Sequence, residues 1–189
     1  MPKSGPLRAV LAATLGAALL GACATATPYQ PLGARGTGAS GGFSDVQLAA
    51  NRFRVTFAGN SLTSRERVET YLLYRAAELT RERGFDGFTI VDRNTDRNVE
   101  TRVYRDPFGP GRYRWWRPYW RYRGAGWGWR RWDPWFGDPF WADTVDVHTV
   151  QRFEASAEIV MFRGTRDDEK SFDAREVLSN LGPGIEMPR

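Results

Sequence analysis

The sequence predicts an α+β fold: an antiparallel β-sheet with one main helix packed on one face and a short C-terminal helix, interrupted by a long Trp/Arg/Gly-rich loop. Three observations predict it. Residues 51–59 (NRFRVTFAG) and 153–162 (FEASAEIVMF) alternate apolar with polar residues, the period of a half-buried strand. Val68, Leu72, Ala76 and Leu79 recur at helical spacing and present one apolar stripe. All eight Trp fall between Trp115 and Trp141, in a stretch whose Gly and Pro suit neither a long helix nor a long strand. A sheet with one apolar face and a helix with one apolar stripe bury each other, which gives two layers. At 189 residues the chain is long enough for one such domain.

The first 23 residues read as an address. Met1 to Arg8 carries two positive charges and no negative ones, and Ala9 to Leu20 carries none. Twelve apolar or small residues are too few to span a bilayer, which takes about 20. Charged start, short apolar centre and small residues before a cut are the layout of a secretory signal. Leu20-Gly21-Ala22-Cys23 closes the run with the only Cys of the chain. It resembles the lipobox of bacterial lipoproteins. The resemblance implies a signal peptide over 1–22, cleavage before Cys23, and a diacylglyceryl thioether plus an N-acyl chain such as palmitate on Cys23. Several acyl chains at about 0.8 kcal/mol per buried methylene anchor a protein nearly permanently, and the thiol is consumed. Ala24, not Asp, follows the Cys, which by analogy with enteric bacteria points to the periplasmic side of the outer membrane.

Residues 23–42 then read as the lipidated Cys and a flexible tether, on composition. As a free coil the stretch from Ala24 to Gly42 would span on the order of 25 Å. The domain is expected over 43–189.

After the first strand comes Thr63-Ser64-Arg65-Glu66, expected to be a capping box with Thr63 as the cap. Tyr71 and Leu73 widen the helix stripe, and Gly84 is placed for a left-handed cap. Tyr71 and Tyr74 are expected to pack on the helix face with exposed hydroxyls. A second strand over 87–93 leads to Asp92-x-Asn94-x-Asp96, which has calcium-loop oxygens at its early positions. Arg97 stands where that loop needs Gly and Val103 where it needs Glu, so a polar turn into a strand over 99–104 is the reading kept.

The insert spans about 106–141. From Thr101 to Trp141 there are nine Arg and three Asp, a net +6, whereas the whole chain is +5. Basicity is therefore local. Three readings follow. Arg and aromatics can grip single-stranded nucleic acid, which export argues against, so no nucleic-acid partner is expected. They can contact anionic lipid headgroups or cell-wall glycan, through Arg114, Trp115, Trp116, Arg117, Trp120, Arg121, Trp127, Trp129, Arg130, Arg131 and Trp132. Or they form a surface loop that packs some Trp over the sheet; a free loop with so many Trp would be sticky, so something must cover part of it.

Downstream, residues 144–150 alternate as a strand, with Val145 and Val147 together. On 153–162, Glu154 and Glu158 share the polar face; a carboxylate pair can do acid–base work, but on a solvent face it is solvated. His148 is the only His and stands in a Val-rich strand, without a nucleophile in any recognisable context. Asp173-Ala174-Arg175-Glu176 is a capping box, with Phe172 and Val177 as its hydrophobic staple. Leu178 and Leu181 give the short helix an apolar side, and Gly182-Pro183 ends it.

The phrases RFRVTFAGNS (Arg52 to Ser61), YLLYRAAELT (Tyr71 to Thr80), ASAEIVM (Ala155 to Met161) and AREVLSNLG (Ala174 to Gly182) resemble a family of small uncharacterised Gram-negative outer-membrane lipoproteins. The similarity covers Cys23 to about Tyr104 and Thr144 to Pro183. It implies no catalytic residues. The expectation is a lipid-anchored, non-enzymatic envelope lipoprotein with no cofactor and no metal, structural, stress-related or an interaction module. Its partners would be the membrane, cell-wall glycan, anionic lipid or another envelope protein.

Overall fold

The structure is a computed structural model that describes residues 25–36, 39–91, 113, 115–124, 127–133 and 150–188. The expected α+β architecture is present. Seven strands form one antiparallel sheet: β1 Gly42–Ala49, β2 Arg52–Ala58, β3 Gly87–Ile90, β4 Tyr119–Gly124, β5 Trp127–Trp132, β6 Val150–Phe162 and β7 Ser171–Asp173. Helices α1 (Arg65–Glu82) and α2 (Ala174–Leu181) complete it.

The 13-residue strand β6 organises the sheet. One edge pairs with β2, from Ala58 opposite Glu154 to Arg52 opposite Val160. The other edge serves two strands in succession: β3 pairs with 159–162, and β4 pairs with 150–156. β7 continues outward from β3, and β5 from β4. The first half of β6 thus runs past the end of β2, and the β4–β5 hairpin runs with it.

The alternation read from sequence sorts the two faces. Phe53, Val55 and Phe57 pair with Ile159, Ala157 and Ala155, and all six are at most 1% exposed beneath α1. Burying each of the larger side chains contributes about 1.5–3 kcal/mol. The helix answers with Val68, Leu72, Ala76 and Leu79 plus Tyr71 and Leu73, as expected, and with Ala77. Phe88 stacks on Phe172 at 5.2 Å, extending the core under α2.

Helix ends follow local chemistry, with one shift. The N-cap of α1 is Ser64, whose hydroxyl accepts from the Arg67 N–H at 3.2 Å. The expected cap, Thr63, is drawn elsewhere: its Oγ1 accepts the Thr27 N–H and donates to Asn60 Oδ1. At the C-terminus, Phe85 N–H reaches the Thr80 carbonyl and Gly84 N–H the Arg81 carbonyl, with Gly84 at φ +76°. This is a Schellman cap, and it needs a left-handed residue at that position. Asp173 caps α2 as expected, accepting from Arg175 and Glu176 N–H, with Phe172 and Val177 buried across it.

Three differences from the sequence reading stand out. Strand β1 has no counterpart in it. Phe43, Asp45 and Gln47 pair with the core residues Phe57, Val55 and Phe53, but only Phe43 brings an apolar side chain to the core, and Val46, Gln47 and Leu48 are exposed. Polar residues at two of the core-register positions and apolar ones outside hide the strand from alternation. Within the insert, residues 119–124 and 127–132 are strands, because the free edge of β6 supplies the ladder that a lone Gly-rich segment lacks. Third, the tether is not free from Thr25 onward. Thr27, Tyr29, Gln30 and Ala39 are buried. Residues 30–32 lie beside β1 through Phe43 N–H to Gln30 O and Leu32 N–H to Phe43 O, at 2.8 and 2.7 Å. They cover part of an edge that would otherwise expose its backbone. The close approach requires Gly42, at φ +135°, where a Cβ would meet Gln30 O at 2.4 Å.

The calcium-like loop at 92–96, the strand expected at 99–104, His148 and residues 144–149 lie outside the described residues. So do Arg114 and the signal segment with Cys23.

Candidate functional site

The chain emerges toward Cys23 at one end of the sheet. Asn60 Nδ2 donates to Thr25 O at 2.6 Å, Asn60 N–H donates to Thr27 Oγ1 at 2.9 Å, and Gly59 N–H donates to Phe153 O at 2.9 Å. Thr27 Oγ1 in turn donates to Ser40 O at 2.7 Å. Thr25 is therefore held at the end of β2 and beside the first half of β6, the half with which β4 pairs. Leu62, on the turn just after Asn60, is 52% exposed.

A second polar cluster fixes the same N-terminal segment to α1. Arg75 lies on the inner face, its guanidinium against Asp45 at 2.7 Å, Glu82 at 3.0 Å and Glu78, and 4.5 Å from the ring centre of Phe43. Burial alone would lower its pKa; the hydrogen bonds to Asp45, Glu82 and Glu78 outweigh that and raise it, so the charge is held. The Tyr29 hydroxyl donates to Glu78 and its ring packs on Phe43, Tyr71 and Tyr74. Burial first, and then Glu78, raise its pKa above the ordinary phenol. The Tyr71 hydroxyl, expected to be exposed, accepts the Glu186 N–H at 3.0 Å, which ties down the C-terminal segment.

The insert residues split by strand face. Trp116 and Trp120 are 2% and 1% exposed: Trp116 meets Phe88 and Phe172 edge-on, and Trp120 meets Phe153. Trp132, opposite Trp120 in register, packs against the same core. Trp116 and Trp120 complete the hydrophobic interior and are not available as a binding surface, whereas Trp132 is half-buried. Trp115 is half-buried, with Lys170 Nζ 5.0 Å from its ring centre, and Arg117 is also half-buried. On the outer face Arg121 and Arg131 lie opposite each other and are exposed. Trp129 is exposed too, with the Arg121 guanidinium 4.9 Å from its ring centre. Arg130 is exposed on the other face of β5, and Trp127 begins the strand.

The carboxylates that alternation put on this outer face are each held by arginine. Glu158, 4% exposed, meets Arg52 at 2.7 Å and Arg54 at 2.6 Å; Glu154 meets Arg121 at 3.0 Å. Two residues on this face escaped the sequence reading, Arg123 and Arg152. The signal for Arg123 was its spacing of two from Arg121; nothing short of the β4–β6 register places Arg152 beside it.

Among the described residues no group of three His, Cys, Asp or Glu side chains is arranged to hold a metal, and no helix is long and apolar enough to cross a membrane. Comparison with known proteins finds no matching family model, no similar curated protein and no similar solved structure, so function is argued from the residues themselves.

Proposed function

We propose that the chain is a lipid-anchored lipoprotein of the cell envelope, acylated at Cys23 and held at the periplasmic side of the outer membrane, with a non-enzymatic domain that acts as a structural or interaction module. The observation that carries this reading is Leu20-Gly21-Ala22-Cys23, the only Cys of the chain, closing a charge-free apolar run behind a basic start. One feature of the domain bears on the role of the module. The partnered state of Glu154 and Glu158 supports a structural role for both rather than proton transfer.

The test is Cys23→Ala. The variant should accumulate as an uncleaved precursor, and the N-terminal peptide of the wild type should carry the mass of its acyl chains. A wild-type N-terminus without lipid overturns the reading. A second reading, contact with anionic headgroups or glycan through the insert, is favoured by the exposed Arg121–Trp129 stack.

A further inference from the structure

We infer that Arg123 and Arg152, on the outer face of the sheet at its anchored end, seat the domain on the anionic phospholipid headgroups of the membrane that holds Cys23. The inference rests on the lipid-anchor reading and adds to it a surface, an orientation and a ligand chemistry.

Charge comes first. Arg123 and Arg152 are directly opposite each other in the β4–β6 register, and both are exposed. Like charges at such a position repel and weaken the pair. Elsewhere on this face Arg52 and Arg54 share the carboxylate of Glu158 and Arg121 meets Glu154, while Arg131, opposite Arg121, adds a further exposed positive charge. Arg123 and Arg152 have no such carboxylate among the described residues. A phosphodiester offers what is missing, since each guanidinium can donate two hydrogen bonds to it and one anion can sit between both. In the same cross-strand row stands Trp129, 41% exposed, and an indole settles at the level of lipid headgroups.

Position comes second. Gly124 at the end of β4, Arg152 and Thr25 all lie at the end of the sheet where β2 stops, and Leu62, on the turn that follows β2, is exposed. Cys23 stands two positions before Thr25, a span of at most about 7 Å. The leash holds this end of the domain beside the surface that carries the acyl chains, and charge attraction acts there over a Debye length of about 8 Å at physiological ionic strength. Cell-wall polymer has no such enforced proximity, which is why lipid is the occupant inferred here. Basic side chains near an anionic membrane are drawn to it, and the leash makes the contact intramolecular.

The test uses the full-length protein purified with its lipid and reconstituted into phosphatidylcholine vesicles with or without phosphatidylglycerol. Amide hydrogen exchange is read over residues 119–132, and the mass of the N-terminal peptide is read on the same sample. Several-fold slower exchange on the anionic vesicles, lost in high salt and lost in the double variant Arg123→Gln/Arg152→Gln, is the expected result. Relief of the repulsion also predicts that the double variant melts no lower than the wild type. Equal exchange on both vesicles overturns the docking even when the peptide is lipidated. A lipid-free peptide overturns the anchor instead. Protection by isolated cell wall but not by anionic vesicles overturns lipid as the occupant.

Discussion

Residues 25–42 and residues 113–132 are both rich in Gly, and the described residues of both belong to the fold. They are held by different forces. The N-terminal segment is fixed by side chains that satisfy backbone groups: Thr27 on Ser40 and Asn60, and Gln30 Nε2 on the carbonyls of Ala39 and Gly41 at 3.0 and 3.2 Å. Tyr29 is its one large apolar contribution. The insert is fixed by a strand ladder on β6 and by indoles pressed into the core. Low complexity therefore does not by itself report on order. What decides is whether a neighbouring element offers an open edge, as β6 does, or unsatisfied polar groups, as the Gly59–Thr63 turn does.

The sharpest test of that contrast lies inside the insert, between two tryptophans nine residues apart. Trp120→Ala opens a cavity at a site 1% exposed, against Phe153, and should lower unfolding free energy by about 3–5 kcal/mol. Trp129→Ala removes an exposed ring and should change stability by no more than about 0.5 kcal/mol. Urea denaturation of both variants measures the difference. Equal effects would mean that the hairpin is either all core or all surface, and the division by strand face would be wrong.

How much was legible in the sequence follows the same physics. Strands β2 and β6 and both helices could be read because each buries one face and exposes the other, so composition repeats with the period of the backbone. β1 could not, since its core-facing Asp45 exists to meet Arg75, a partner 30 residues away. The caps show the limit at finer scale. Asp173 is read correctly because its partners are the next two or three residues. Thr63 is misread because Thr27, far off in sequence, competes for its hydroxyl. At the site, Cys23 is legible as a motif, whereas the Arg123–Arg152 row depends on register and cannot be seen before the strands are paired.

Breaking the N-terminal segment should cost less than breaking the core of the insert. Thr27→Val keeps shape and the backbone N–H bond to Thr63 but deletes the hydroxyl that serves Ser40 and Asn60. The Ser40 carbonyl loses this donor, while Asn60 N–H keeps Thr63 Oγ1 at 3.2 Å. A loss of about 1–3 kcal/mol is expected, with protease cleavage appearing between residues 25 and 41. If the variant melts like the wild type and resists protease, the hydroxyl is not what holds the segment.

Tyr29→Phe should have the smallest effect at neutral pH and the clearest signature with pH. It deletes one hydrogen bond to Glu78, but Arg75 still holds that carboxylate, so the loss should be about 1 kcal/mol. The wild-type phenol has its pKa raised by burial and by Glu78. It keeps its proton in the folded state under alkaline conditions in which the unfolded chain, with an ordinary value near 10, has lost it. The folded state then binds more protons, so stability from this group is complete below about pH 10 and falls above it, by up to about 1.4 kcal/mol per pH unit. Tyr71 and Tyr74, also raised by burial, slope the same way in both proteins, so subtraction isolates Tyr29. Denaturation midpoints at pH 9, 10 and 11, the interval about the ordinary phenol value, should converge as pH rises, the wild type losing its advantage. Parallel curves would mean that Tyr29 ionises as freely folded as unfolded, and that the N-terminal segment does not bury it.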